Sequence, residues 1–463
     1  MAITLQLDRG TAGTIDLNDG TNYALLDGWQ PRVAKRQRSQ LAGRWPYENV
    51  IEQIPIRVFS KQSDPATAKA EVLQKLGDLA AALDQAYTWY NGAQVDPVIL
   101  KYQPEGSALA NPLQSVVLGA PDSARDMLSL PVTFNRDMQA WEINPLVLEI
   151  ERRGLWLGDA ETPAASASVG NPGVMTVTFN DIATLPSPVK IEMIAQATPT
   201  ADYHGYIFVA SEANKLIITE AESMLLDVDL SIQTDARASG GKYVSFLPST
   251  VTITRMAMSP LNIDVNARRF AAFAMVRNYS STLTYILKFV FATKKQNQAI
   301  TRRIVIPPDF TPQMVFLGIG ALPDVLNSIT LHMETTSTTT SGNELGVDYI
   351  VTLALDENSF PIKMNERTLD DGSVQGVDFD DVVIDSAAID SPSPIVYETP
   401  SNRNYIDHSG NAFLLHVGNQ IHAMICMSKV SSISPSWTII DNADANIPYT
   451  LTATRYKGYL TPR

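Results

Sequence analysis

A chain of 463 residues is too long for one ordinary core and reads as two to four domains of roughly 100–200 residues each, while 49 Asp and Glu against 35 Lys and Arg give a net charge of −14 that opposes tight wrapping of nucleic acid. Charged residues make up only 18%, below the roughly 25% usual for soluble proteins, and Ser, Thr, Asn, Val and Ile abound, so the domains are predicted to be mostly β. A lone cysteine, Cys426, excludes an intrachain disulfide and a zinc site of several thiolates; with no signal-peptide apolar block at Met1–Asp8 and no run near ~18 apolar residues, the sequence reads as a soluble product of a reducing cytoplasm that does not insert in membranes.

The chain opens with strands at Ile3–Leu7 and Tyr23–Leu26 around a turn-rich Asp16–Thr21. Trp29–Arg38 follows, polar and basic with little apolar periodicity. It is either a solvated loop or an arm that docks on a neighbouring subunit, and the candidate interface residues are Arg32, Lys35, Arg36 and Arg38.

The organising stretch is strand, helix, strand. Val50–Phe59 and Val95–Tyr102 are β-rich, and the long helix between them starts at an Asp64 N-cap with Pro65 at its first position and stops at Gly92. Its apolar positions are Ala68, Val72, Leu73, Leu76, Leu79, Ala80, Leu83, Ala86, Tyr87 and Tyr90, and the Val72/Leu76/Leu79/Leu83 stripe is expected to pack on the flanking sheet. Strands at Ser115–Leu118, Leu128–Phe134 and Trp141–Ile150 continue that sheet, and residues 159–173, rich in Ala, Ser, Pro and Gly, read as a linker.

From Val174 to Met364 a dozen strand candidates alternate with turn residues and no long helix, which argues for a jelly-roll-like antiparallel sandwich. Thr335–Gly342 reads as an exposed low-complexity loop. The last segment, 365–463, carries an acidic stretch (Asp370, Asp371, Asp378, Asp380, Asp381, Asp385, Asp390) and strands at Phe413–Val417, Gln420–Met427 and Thr450–Tyr459, with a hairpin turn expected at Gly418-Asn419. It either completes the sandwich or forms a small satellite.

The acidic stretch lacks the Asp-x-Asp-x-Asp-Gly pattern of a calcium loop and reads as a solvated loop. The five histidines are scattered; His416 and His422 could sit on adjacent hairpin arms, but two ligands without a third do not hold a metal. Tyr203, Tyr206, Tyr243, Tyr279 and Tyr285 could stack on sugars, against a default of half-buried strand positions. No nucleophile elbow, phosphate loop or dinucleotide fingerprint occurs, so no catalytic, cofactor or metal residue is assigned and the chain reads as a non-enzyme.

The strand order, the single helix between Phe59 and Val95, and the closing Leu155-Trp156-Leu157-Gly158 resemble the N-terminal domain of phage distal tail and tail tube proteins. The resemblance implies a split β-barrel-like domain with one flanking helix over residues 1–158, followed by the 159–173 linker, an outer sandwich at 174–364 and a C-terminal β segment. It implies self-association into rings, hexamers in those families, around a channel through which DNA passes without specific binding, together with contacts to other tail proteins or the baseplate. It also places the protein in the virion after assembly in the host bacterium. Two other readings stand beside it: a glycan-binding host-adsorption protein, and a polysaccharide-degrading enzyme.

Overall fold

The computed structural model describes residues 3–35, 47–121, 135–137, 140–168, 173–196, 203–236, 238–248, 253–258, 269–293, 299–308, 310, 312–321, 326–335, 343–355, 359–368, 374–376, 381–385, 396–398, 415–429 and 449–460. The fold is mainly β with one long α-helix, in antiparallel sheets of which none closes into a barrel. The longer strands are numbered here in chain order.

The N-terminal unit contains β1 (Thr4–Asp8), β2 (Val50–Ser60), α1 (Pro65–Tyr90), β3 (Val98–Gln103), β4 (Leu113–Gly119), β5 (Ala140–Arg152) and β6 (Trp156–Glu161). Its open sheet runs β2, β5, β4, β3, β1, edged by three-residue strands at Tyr23–Leu25 and Thr14–Asp16. The predicted strand Leu128–Phe134 lies outside the described residues.

Helix α1 begins as its sequence dictates: Asp64 accepts from the Thr67 amide at 2.8 Å, and Pro65 holds the first helical position. Gly92, at φ +91°, follows its C-terminus. The buried stripe is Ala68, Val72, Lys75, Leu79, Ala82, Ala86 and Trp89, with Leu83 beside it. Leu76 packs only partly, and Leu73, Tyr87 and Tyr90, assigned to the apolar face by type alone, stay about half exposed. Steps of four and three from Ala68 to Trp89 select one line of the helix, which includes Lys75 because its ammonium reaches the Phe59 carbonyl (3.2 Å) and Glu71 (3.1 Å) while its stem packs.

Eight strands form the jelly roll. They are β9 (Lys242–Phe246), β10 (Ile253–Met258), β11 (Arg269–Asn278), β12 (Tyr285–Thr293), β13 (Ala299–Ile306), β14 (Gln313–Ala321), β15 (Leu326–Thr335) and β16 (Leu345–Ala354). One sheet runs β9-β16-β11-β14 and the other β10-β15-β12-β13, the interleaved order of two Greek keys. Between them lie Phe246, Phe270, Ala272, Ala274, Val276, Leu287, Phe289, Leu331 and Val347.

Strands expected inside that sandwich belong to another layer. The long β7 (Val174–Ala195) and β8 (Tyr203–Ala210) pair with the C-terminal strands β17 (Phe360–Thr368), β18 (Asp381–Asp385), β19 (Leu415–Lys429) and β20 (Tyr449–Tyr459). This layer packs on the back of the β9-β16-β11-β14 sheet, where Ala271, Phe273, Met275, Val351 and Leu353 meet Val177, Ile207, Phe208, Ile421 and Met424. Phe273 crosses Phe208 and Tyr206 edge-on at 4.9 Å each. The middle sheet is therefore covered on both faces, which is why every residue of β16 is buried and why β11 reads as a continuous apolar run.

The stretch 159–173, expected as a linker, carries strand structure. β6 runs through Glu161, and Ser166–Ser168 pairs with Tyr449–Leu451 on β20. β20 pairs with β6, Ser166–Ser168 and β7 in turn, so the last strand joins the N-terminal unit to the rest. The expected Gly418-Asn419 hairpin is also absent: β19 runs straight through, and Gly418 at φ +114° absorbs a register shift opposite Ala183. The loop Thr335–Gly342 lies outside the described residues after Thr335.

Candidate functional site

Of the predicted interface residues, Arg32 and Lys35 are described, and Arg36 and Arg38 lie outside the described residues. The described base of this segment is locked by Glu52 and Arg152, both fully buried and set diagonally across the β2–β5 ladder, where Glu52 is opposite Ile150 and Arg152 opposite Val50. The Arg152 guanidinium donates to Glu52 Oε1 from Nη2 (2.7 Å) and Nε (2.9 Å), to the Arg153 carbonyl (2.8 Å) and to the Arg32 carbonyl (2.8 Å). It also lies 4.3 Å over the Trp156 ring. Burial pulls the Arg152 pKa below the ordinary arginine value, and the Glu52 carboxylate opposes that.

Glu52 completes the clamp by accepting the Arg32 amide at 3.0 and 3.1 Å. The Glu48 amide donates to the Lys35 carbonyl at 2.9 Å. Ala34 and Tyr47 are buried against Val50, Leu155 and Leu157, and a β-carbon at Gly154 would lie 2.5 Å from the Glu48 carbonyl oxygen, so glycine is required there for packing. The described residues on either side of 36–46 are thus fixed in the fold. The sequence signals were an acid at an inward strand position and the Arg152-Arg153-Gly154 run, neither of which identified its partner.

The outward face of the β2–β5 ribbon carries the Arg32 side chain. Its guanidinium donates to Gln53 Oε1 (2.7 Å), and Gln53 Nε2 donates to Glu149 (2.5 Å); one step along, Asn49 donates to Glu151 (2.8 Å).

A second buried arginine, Arg455, joins four strands. It donates to Glu161 (2.6 Å) and the carbonyls of Asp181 (2.8 Å) and Gly418 (2.9 Å), and it covers the Phe179 ring at 4.3 Å.

The candidate tyrosines are mostly packed. Tyr285 is fully buried and donates to the Asn343 carbonyl, and Tyr206 lies between Phe208 and Phe273. Tyr279 is half-buried, with the Arg277 guanidinium 3.8 Å over its ring and Tyr243 stacked at 6.1 Å. Tyr243 and Ser245 both donate to Glu344. The Tyr203 side chain lies outside the described residues.

Nearby, Asp348 accepts the Ser239 amide at 3.0 and 3.1 Å, and Glu220 accepts the Ser239 hydroxyl at 2.6 Å. Burial pushes the Asp348 carboxyl up to about 8; the Ser239 bond opposes this, and the Glu220, Glu222 and Asp235 charges add to it.

The Cys426 thiol is buried and pushed up to about 12 by desolvation, 3.7 Å from the Tyr349 hydroxyl, an inert setting. His422 is buried beside the Thr176 hydroxyl (2.9 Å), and burial lowers its pKa. His416 shares β19 with it, so the two are on one strand and not on hairpin arms. Among the described residues no three His, Cys, Asp or Glu side chains are grouped to hold a metal, and no helix is long and apolar enough to cross a membrane. In the acidic stretch Asp381 and Asp385 bound β18; Asp370, Asp371, Asp378, Asp380 and Asp390 lie outside the described residues.

No family model matches the chain, and no curated protein matches it. Similar solved structures include the C-terminal family 22 carbohydrate binding module of Clostridium thermocellum Xyn10B, at 13% identity over 31% of this chain and 96% of that one, with a TM-score of 0.22. The CBM6cm-2 module of Cellvibrio mixtus lichenase 5A, in complex with cellotriose, is 11% identical over 30% and 97% (TM-score 0.22). The CBM22-1 xylan-binding domain of Paenibacillus barcinonensis Xyn10C is 11% identical over 34% and 96% (TM-score 0.23).

Proposed function

We propose that the chain is a structural subunit of a bacteriophage tail, of the distal tail or tail tube kind. Its N-terminal unit self-associates into rings around the DNA channel, and the jelly roll is carried outside. The observation that best supports this reading is an edge that is open among the described residues. β5 pairs along its length with β2, but on its other side the described pairings are confined to Ala140–Glu142 at one end and to Glu151 and Arg152 at the other. A long edge left unpaired among the described residues can be completed by another chain, and a ring of copies would do so at every subunit. Sedimentation of the purified chain tests this: a discrete oligomer that dissociates with salt is expected, and a monomer at every concentration refutes it.

A second reading, a glycan-binding adsorption protein, draws on the Arg277–Tyr279–Tyr243–Glu344 group, which combines an aromatic ring with charged hydrogen-bonding groups, the chemistry that holds sugars. Glycan-array binding that Tyr279→Ala abolishes would favour it; binding unchanged by that substitution, or no binding at all, would count against this group.

A further inference from the structure

We infer that the outward face of the β2–β5 ribbon is the docking surface for the basic segment, residues 36–46, of a second copy of this chain. The inference rests on the ring-assembly reading and names its acceptor.

The ladder places Ile51 opposite Glu151, Gln53 opposite Glu149 and Pro55 opposite Val147 on the side turned away from the core. Ile51 and Val147 are each 38% exposed, and Val33, shortly before residues 36–46 in the chain, is 54% exposed. The face is therefore two carboxylates set among exposed apolar side chains. Glu149 and Glu151 each take an amide donor from Gln53 or Asn49, and among the described residues neither meets a lysine or arginine in an ion pair.

Between Asp27 and Glu48 the sequence holds Arg32, Lys35, Arg36, Arg38 and Arg44 with no acidic residue, together with Leu41 and Trp45. That run matches the face in both charge and apolar content. In a protein of net charge −14 two copies repel each other unless opposite charges meet at the contact, and this run supplies them. Arg32 already occupies Gln53 of its own ribbon, so arginine chemistry suits this face. The Glu48 amide donates to the Lys35 carbonyl at 2.9 Å, so the described residues on either side of 36–46 are held to this subunit, and each subunit would offer that segment and receive one, a head-to-tail contact of the kind from which rings are built.

The test mixes two full-length chains of different tag length, one carrying Glu149→Cys and the other Arg38→Cys. Glu149 lies on the outward side of the ladder, and native Cys426 is buried and unreactive. A short bis-maleimide is added under assembling conditions and the products are resolved by denaturing electrophoresis. The expected result is a heterodimer at least tenfold above either homodimer. Rings in the microscope without that heterodimer would overturn this acceptor face while leaving the ring reading standing. A chain carrying both substitutions that cross-links only within itself would assign residues 36–46 to their own ribbon and overturn the inference. Absence of rings and heterodimer together would sink both.

Discussion

Arg455, on the last strand, and Glu161, almost three hundred residues earlier, meet at 2.6 Å with the arginine fully buried and the glutamate a quarter exposed. This pair, with the carbonyls of Asp181 and Gly418, fastens the C-terminal strand across the N-terminal unit.

Arg455→Ala should therefore destabilise the whole chain by about 2–4 kcal/mol in urea unfolding, below the cost of losing one half of a fully buried pair because Glu161 can turn to water. By the same logic a fragment ending at Gly158 should be poorly soluble: it lacks the pairing of Trp156 and Leu157 with Tyr459 and Gly458. A fragment of residues 1–161 with Tyr449–Tyr459 appended through a Gly/Ser linker should recover solubility, as read by gel filtration.

Glu52→Gln leaves a buried guanidinium without its counter-charge and should cost about 3–5 kcal/mol, whereas Glu52→Leu with Arg152→Met should cost much less than the two single changes added together. A double-mutant cycle in guanidinium chloride measures the difference. Additive losses would mean the two side chains act independently.

Along α1, Leu79→Ala should cost about 2–5 kcal/mol because Leu79 is 1% exposed, while Leu73→Ser, at a residue 50% exposed, should stay within about 0.5 kcal/mol. Equal losses at the two sites would mean the helix buries a different line in solution.

Asp348 fixes the sign of a pH effect. Its carboxyl is raised to about 8 from an ordinary value of 3.8, so between those values the folded state binds the extra proton. Its contribution is fully present below about 4 and is lost as pH rises through 8, with a slope approaching ~1.4 kcal/mol per pH unit in between. Asp348→Asn should remove that slope from a plot of unfolding free energy against pH. An unchanged plot would mean Asp348 is ionised in the fold.

The capped helix and the eight jelly-roll strands were legible because each rests on local chemistry: Asp64-Pro65, period-two runs, and turns between them. The partnership of β7 and β8 with the C-terminal strands was not, since antiparallel pairing across two hundred residues leaves no local periodicity. The linker reading failed at Ser166–Ser168 because small residues that suit a flexible tether also suit a strand closely covered by β20. At the candidate interface the sequence marked the charges of Arg32 and Lys35, but Arg32 is held through its backbone by Glu52 and Arg152, which no spacing between residues 32, 52 and 152 announces.

Electron microscopy of the purified full-length chain at low salt tests the assembly account most directly. Closed rings or stacked tubes with a central hole are expected. Arg32→Glu with Arg36→Glu should give a folded protein without rings, because the clamp holds residue 32 by its amide and carbonyl and not by its side chain. Isolated particles with no ring at any concentration of the unaltered chain would contradict the account.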